Sequence, residues 1–143
     1  MIRTFQFTDL TDVMQIWLNA NIQAHRFIPA LYWQEHFEHV KKMIPSAELY
    51  VSENTSGVLN GFIGLSGDYI AGIFVAEDAR SRGIGKQLLN HAKLIRKTLS
   101  LNVYQKNERA VRFYLREGFA IQSQNTDPDT EETEHLMTWR KHL

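Results

Sequence analysis

The chain has 143 residues with 16 basic and 16 acidic side chains, so its formal net charge is zero, and it contains no cysteine. That length suits a single domain over residues 1–143 with one buried core. Lack of cysteine excludes disulfides, a thiolate zinc site and a cysteine nucleophile, and the balanced charge counsels against a protein built to grip nucleic acid or an anionic membrane.

Taken in chain order, the opening "MIRTFQFTDL" lacks the charged-then-apolar layout of a secretory signal, and its first residues read as a short strand. No segment has the apolar length of a membrane span, so a soluble cytoplasmic protein is the expectation. Leu10, Val13, Ile16, Trp17, Ala20 and Ala24 then recur at helical spacing, with Thr8 and Asp9 ahead of them as candidate caps. Pro29 suits the first turn of a second helix that carries Trp33, Phe37, Val40 and Ile44. Three apolar runs follow, "AELYVSE", "VLNGFIGLS" and "YIAGIFV", separated by turns at Asn54–Gly57 and Gly67-Asp68; they predict an antiparallel meander. A helix starts near Gly85, "LSLNV" is a strand, and a further helix from about Asn107 to Glu117 ends at Gly118 in a left-handed cap. "FAIQS" and "HLMTWR" close the chain as two strands around a long polar loop. The order β-α-α-β-β-β-α-β-α-β-β predicts an α/β (α+β) domain: a mixed, mostly antiparallel sheet of six or seven strands flanked by about four helices.

Two glycines one residue apart open the helix after the third meander strand, in "RSRGIG". Unpaired amides, a positive dipole end and glycine's small size make such a turn an anion site. The spacing excludes a P-loop, because Lys86 is followed by Gln87 and the residue five before Gly85 is Arg80. A dinucleotide fingerprint needs a third small residue where Leu88 stands. What remains is Arg80-Ser81-Arg82-Gly83-Ile84-Gly85, an R-x-x-G-x-G pattern, and downstream of it Asn107-x-x-Ala110-x-x-Phe113-Tyr114 with Gly118-Phe119. Asn107 is placed to cap its helix, and Tyr114 lies one turn beyond Ala110 on the same face.

Together these motifs resemble the GNAT superfamily of N-acetyltransferases, and the element order resembles the GNAT fold along most of the chain. "WLNANIQAHRFI" is similar to a subgroup of small bacterial GNAT proteins. The resemblance implies acetyl-CoA as cosubstrate, no metal, and a cofactor wedged between two splayed parallel strands, here "YIAGIFV" and "LSLNV". It implies that the backbone of Ile73, Phe74 and Val75 holds the pantetheine arm and acetyl end. Amides from Ser81, Arg82, Gly83, Ile84, Gly85 and Lys86 would hold the pyrophosphate, with the Arg80, Arg82 and Lys86 side chains adding positive charge. Asn107 would also bond to the cofactor, and Tyr114 would act as general acid toward the departing sulfur. Where ribosomal-protein alanine acetyltransferases carry a basic glutamate, this chain has Asn102, whose amide takes no proton. A water chain, His25, Glu77 or His135 stay open as routes for the proton. The acceptor is expected to be a protein or peptide lysine, an N-terminal amine or a small amine. An acyl-CoA sensor without efficient turnover is the alternative, and a homodimer is compatible with a small domain of this kind. The acidic stretch "QNTDPDTEETE" and the aromatic "AHRFIPALYW" are the segments that would face a cationic acceptor.

Overall fold

Alternating apolar residues in the centre of the chain build one seven-stranded sheet, seen in a computed structural model that describes residues 1–142. The strands are β1 (Ile2–Thr4), β2 (Glu48–Glu53), β3 (Leu59–Ser66), β4 (Tyr69–Val75), β5 (Thr98–Tyr104), β6 (Ala120–Thr126) and β7 (Thr133–Arg140). They lie side by side in the order β1-β2-β3-β4-β5-β7-β6. Every neighbouring pair is antiparallel except β4 and β5. The helices are α1 (Leu10–Ala24), α2 (Ala30–Met43), α3 (Ile84–Ile95) and α4 (Glu108–Arg116). Element order and mixed sheet are those predicted.

Two cores form, one on each face of the sheet. Leu88, Leu89 and Ala92 of α3 and Tyr114 of α4 meet Ile63, Ile70, Leu99, Leu101 and Met137 on one face. On the other, Val13, Met14, Ile16 and Trp17 of α1 with Trp33 of α2 cover Leu49, Val51 and Phe62. Leu88 is fully buried, so Leu88→Ala would remove about 2–5 kcal/mol of stability through lost contact and residual cavity. Because side chains alternate along a strand, Leu101 and Val103 face α3 and α4 while Asn102 and Tyr104 face the α1 side. Among the described residues no helix is long and apolar enough to cross a membrane.

Three local outcomes differ from, or sharpen, the sequence reading. Asp9 precedes α1, but its carboxylate makes no cap bond to that helix; it accepts two hydrogen bonds from the Arg3 guanidinium at 2.9 Å and one from the Gln6 amide at 2.8 Å. An ion pair joining β1 to the start of α1 thus replaces the expected cap. The polar stretch after residue 120 is mostly strand: β6 and β7 pair from Ala120↔Thr138 to Thr126↔Thr133, leaving only residues 127–132 as loop. β6 is exposed along its whole length, so it carries no apolar alternation for a sequence reading to detect. Gly118 closes α4 at φ +92°, with Phe119 N–H donating to Tyr114 C=O at 3.0 Å, as the left-handed cap requires.

Candidate active site

The parallel pair at the middle of the sheet opens like a wedge. β4 and β5 share one paired position, Tyr69↔Ser100, and Ser100 N–H donates to Asp68 C=O at 2.9 Å beside it. The register between β3 and β4 slips at Gly64/Leu65, leaving Ala71 unopposed. Such a bulge bends its strand, and beyond it β4 runs on without pairing to β5.

Backbone direction in the opened segment follows from the β3 ladder. Ala76 N–H donates to Asn60 C=O at 2.9 Å, and bonded pairs alternate along an antiparallel ladder, so Phe74 shares its backbone bonds with Phe62. Ile73 and Val75 therefore present N–H and C=O to the gap, whereas Phe74 does not. Phe74 instead stacks its ring on Phe62 at 4.9 Å. The ring also lies over Gly72, where an added Cβ would fall 2.4 Å from it. Of the three backbone positions expected from sequence, two face the cleft.

At the mouth of the wedge the chain passes through Ser81 at φ +64° and Gly83 at φ +78° and enters α3. Gln87 N–H is the first to reach a carbonyl of this turn, Gly83 C=O at 3.0 Å. The amides of Ile84, Gly85 and Lys86 precede it at the helix terminus, where no intrahelical acceptor exists. Gly83 has open space around it, with nothing within 4 Å of an added Cβ; its need for glycine is the left-handed backbone. A Cβ on Gly85 would sit 3.8 Å from Phe113 and 3.9 Å from Val75, so glycine leaves a shallow cradle between α4 and β4. Ile84 fixes the helix start against the sheet, since its methyl lies 3.0 Å from where a Gly61 Cβ would be. Arg82 and Lys86 are exposed and Arg80 is half-buried. Lys86 Nζ is 3.9 Å from the Glu117 carboxylate. Arg109, which the sequence reading did not single out, donates to Ser81 Oγ at 3.1 Å and ties α4 to the loop.

α4 delivers two further groups. Asn107 caps it, its Oδ1 accepting from Ala110 N–H at 3.4 Å, and its side-chain amide lies 3.4 Å from His25 Nε2. With Asn107 Nδ2 as donor, Nε2 of His25 is the acceptor and Nδ1 carries the proton. That Nδ1 is buried and has no partner among the described residues. His25 lies stacked on Trp33 at 5.2 Å and edge-on to Tyr104 at 5.2 Å, and burial pushes its pKa down to about 4. Tyr114 is 8% exposed. Burial, and then the neighbouring Tyr69, raise its pKa well above the usual phenol range, so it keeps its proton at physiological pH. Across the wedge Asn102 donates to the Tyr69 hydroxyl at 3.0 Å.

Beyond Asn102 on the same face lie Tyr104 and, opposite it on β7, Glu134. Tyr104 donates to Asp127 at 2.5 Å. Burial and then the charge of Asp127 raise Glu134, while burial and then Asp127 and Asp129 raise Tyr32. This end of the cleft is thus aromatic and acidic, drawing Phe27 from the α1–α2 connection and Tyr32 from the first turn of α2 together with carboxylates of the β6–β7 hairpin. Glu77 stays exposed on a short 3-10 turn after β4. His135 is buried in the sheet opposite Val103. Neither is brought to Asn102 by a hydrogen bond among the described residues. Tyr104 was not singled out from sequence, and Glu134 only as one carboxylate of the acidic stretch; the β5–β7 register is what makes the two neighbours. A hollow of about 460 Å³ lies away from this cleft, at the other end of β5, lined by Asp68, Thr98, Gln122 and Arg140.

Comparison with known proteins gives three kinds of match. Residues 45–121 match the family model described as "Acetyltransferase (GNAT) domain". The chain is 35% identical to the peptidyl-lysine N-acetyltransferase YiaC of Escherichia coli, covering 97% of this chain and 96% of that protein. It is 32% identical over 120 residues to the peptidyl-lysine N-acetyltransferase YjaB of E. coli. The solution structure of apo YjaB superposes with a TM-score of 0.87 at 28% identity, over 97% of this chain and 96% of that one. An acetyltransferase structure from Bacillus anthracis, solved in complex with acetyl coenzyme A, shares the fold over 67% of this chain and 63% of that one, with a TM-score of 0.61 and 23% identity.

Proposed function

This chain belongs to the GNAT family of N-acetyltransferases, and we propose that it transfers the acetyl group of acetyl-CoA directly to the ε-amine of a lysine in a peptide or protein. The observation that carries the reading is the wedge between β4 and β5, paired only at Tyr69↔Ser100, which opens toward the free amides of the α3 N-terminus. The residues present fit acetyl-CoA on the chain's own geometry. The Gly83–Gly85 turn offers open space and unpaired N–H groups to a pyrophosphate, and the Ile73 and Val75 edges offer donors and acceptors to an amide-bearing arm. Arg80, Arg82, Lys86 and Arg109 give this end its positive charge. That the two curated relatives are named peptidyl-lysine acetyltransferases supports the choice of acceptor.

Acetyl-CoA supplies the activated thioester. Of the Ile73 and Val75 N–H groups, which face the gap about 7 Å apart, one donates to its carbonyl oxygen, where charge grows as the amine nitrogen attacks, and the other holds the pantetheine arm. The amine must be neutral, so it gives a proton to water held by the side chains of Asn102 and Tyr69. Glu134, raised by burial and by Asp127, faces the same side of the sheet and is the carboxylate able to receive it. As the new C–N bond forms, the C–S bond breaks and Tyr114 donates its proton to the departing sulfur, while the proton that the new amide nitrogen sheds restores the Tyr114 hydroxyl. Its raised pKa ensures that the proton is there to give. Asn107 positions this end of α4 through its cap and its contact with His25. The test is steady-state acetylation of lysine peptides by the wild type and Tyr114→Phe: the phenylalanine variant keeps acetyl-CoA affinity and loses turnover.

A further inference from the structure

A second cavity, of about 320 Å³, lies on the acceptor side of the wedge between the α1–α2 connection and the β6–β7 loop. Phe27, Ile28, Pro29 and Leu31 give it apolar walls, and Glu35 and Asp129 give it two carboxylates. No lysine or arginine lines it, and neither carboxylate has an ion-pair partner among the described residues. Tyr32 also lines the cavity, and Tyr104, which donates to Asp127, packs edge-on against the Phe27 ring at 5.7 Å. Lys106 is a cation near this wall. It lies over the Phe27 ring at 5.7 Å with its charge held by Glu132 at 3.1 Å, so that ring already takes an ammonium on one side.

Apolar walls ending in unpaired carboxylates match one side-chain chemistry, a long alkyl stem with a cationic head. The reacting lysine cannot be the occupant, because its nitrogen must reach the wedge at Asn102 and Tyr69. Building on the proposed peptidyl-lysine acetylation, we infer that this cavity binds a second basic side chain of the substrate, and that the enzyme selects lysines with a lysine or arginine nearby in sequence. Tyr104 stands two residues along β5 from Asn102, about 7 Å at strand rise, and Phe27 of the cavity wall packs against the Tyr104 ring a further 5.7 Å away. An extended peptide gains about 3.5 Å per residue, which puts the second basic residue within about four positions of the acetylated one.

The test is a panel of peptides with a single acetylatable lysine and arginine, norleucine, alanine or glutamate at each of the four positions on either side. It is run at saturating acetyl-CoA on the wild type and on E35Q/D129N. At one flank, arginine should lower KM about fivefold relative to alanine, with norleucine between them and glutamate raising it. In E35Q/D129N the arginine-to-alanine ratio should fall to near one. Equal KM values across the panel, or an arginine preference that survives the double substitution, would overturn the inference and leave peptidyl-lysine acetylation standing. If acetyl-CoA binds but no lysine peptide is acetylated, the proposed function fails and this inference with it.

Discussion

Gly85→Asp separates a ligand-binding turn from a merely structural one, because only the first makes a stabilising substitution weaken acetyl-CoA binding. Gly85 lies inside α3 with helical backbone, and a Cβ there would make only ordinary contacts, at 3.8 and 3.9 Å. Replacing glycine in a helix recovers about 0.5–1 kcal/mol, and an acidic residue in the first turn adds about 0.3–1 kcal/mol through the helix dipole. The free protein should therefore gain about 1 kcal/mol. With an unfolding entropy of about 2.1 cal/mol/K per residue over 143 residues, that raises Tm by about 3 °C. The same carboxylate stands in the cradle offered to the pyrophosphate. Two negative charges about 5 Å away in a water-like dielectric repel it by about 1.7 kcal/mol, and more where solvent is partly excluded. Acetyl-CoA affinity should fall by at least about twentyfold, read by calorimetric titration at physiological ionic strength. Gly85→Ala is the control, with the backbone gain and an affinity within about threefold of wild type. An aspartate variant that is more stable yet binds acetyl-CoA as tightly as wild type would refute the placement of the anion at the α3 N-terminus.

Tyr114→Phe should lower kcat by about 10²-fold or more while Kd for acetyl-CoA stays within twofold, since no hydrogen bond to that hydroxyl exists among the described residues; an unchanged kcat would remove Tyr114 as the acid. The pKa of His25 is lowered by burial from its usual 6.5 to about 4, so its contribution to stability is present above pH 6.5 and lost as pH falls toward 4. His25→Phe should flatten the pH dependence of the urea midpoint in that window, by an amount on the order of 2 kcal/mol; an unchanged slope would contradict a buried, neutral imidazole. Asn107→Ala removes the α4 cap and should cost about 0.5–1 kcal/mol, or about 2–3 °C in Tm, and a Tm equal to wild type would show the long 3.4 Å bond to be ineffective.

The backbone geometry of the turn proposed to hold the pyrophosphate was legible because its information is local. Arg80 to Gly85 lie together in sequence, and their anion geometry follows from one strand end, two positive-φ positions and one helix start. The cap position of Asn107 and the place of Tyr114 one turn beyond Ala110 were legible by helical spacing, while their proposed roles rest on the resemblance to GNAT proteins. On the acceptor side the acidic and aromatic segments were legible but their pairing was not, because it is set by register. Glu134 becomes a neighbour of Tyr104 only when β7 pairs with β5, and Asp127 reaches Tyr104 only because β6 and β7 extend through a stretch that reads as polar loop. Phe74 shows the same limit on a smaller scale. Naming three consecutive cleft residues was within reach of the sequence, but which of them turn toward β3 depends on the Ala76–Asn60 bond and the alternation it sets. His25 was one of several unplaced histidines until α1 and α4 brought it within 3.4 Å of Asn107.

The most direct test of direct acetyl transfer to lysine pairs thiol release with mass spectrometry of the same reaction, using acetyl-CoA and a lysine-containing peptide. One ε-acetyl-lysine formed for each thiol released, and a loss of both in Tyr114→Phe, is the expected result. Acetyl-CoA that binds without any peptide being acetylated, or thiol released without acetyl-lysine, would contradict the account and leave this fold as a holder of acyl-CoA instead.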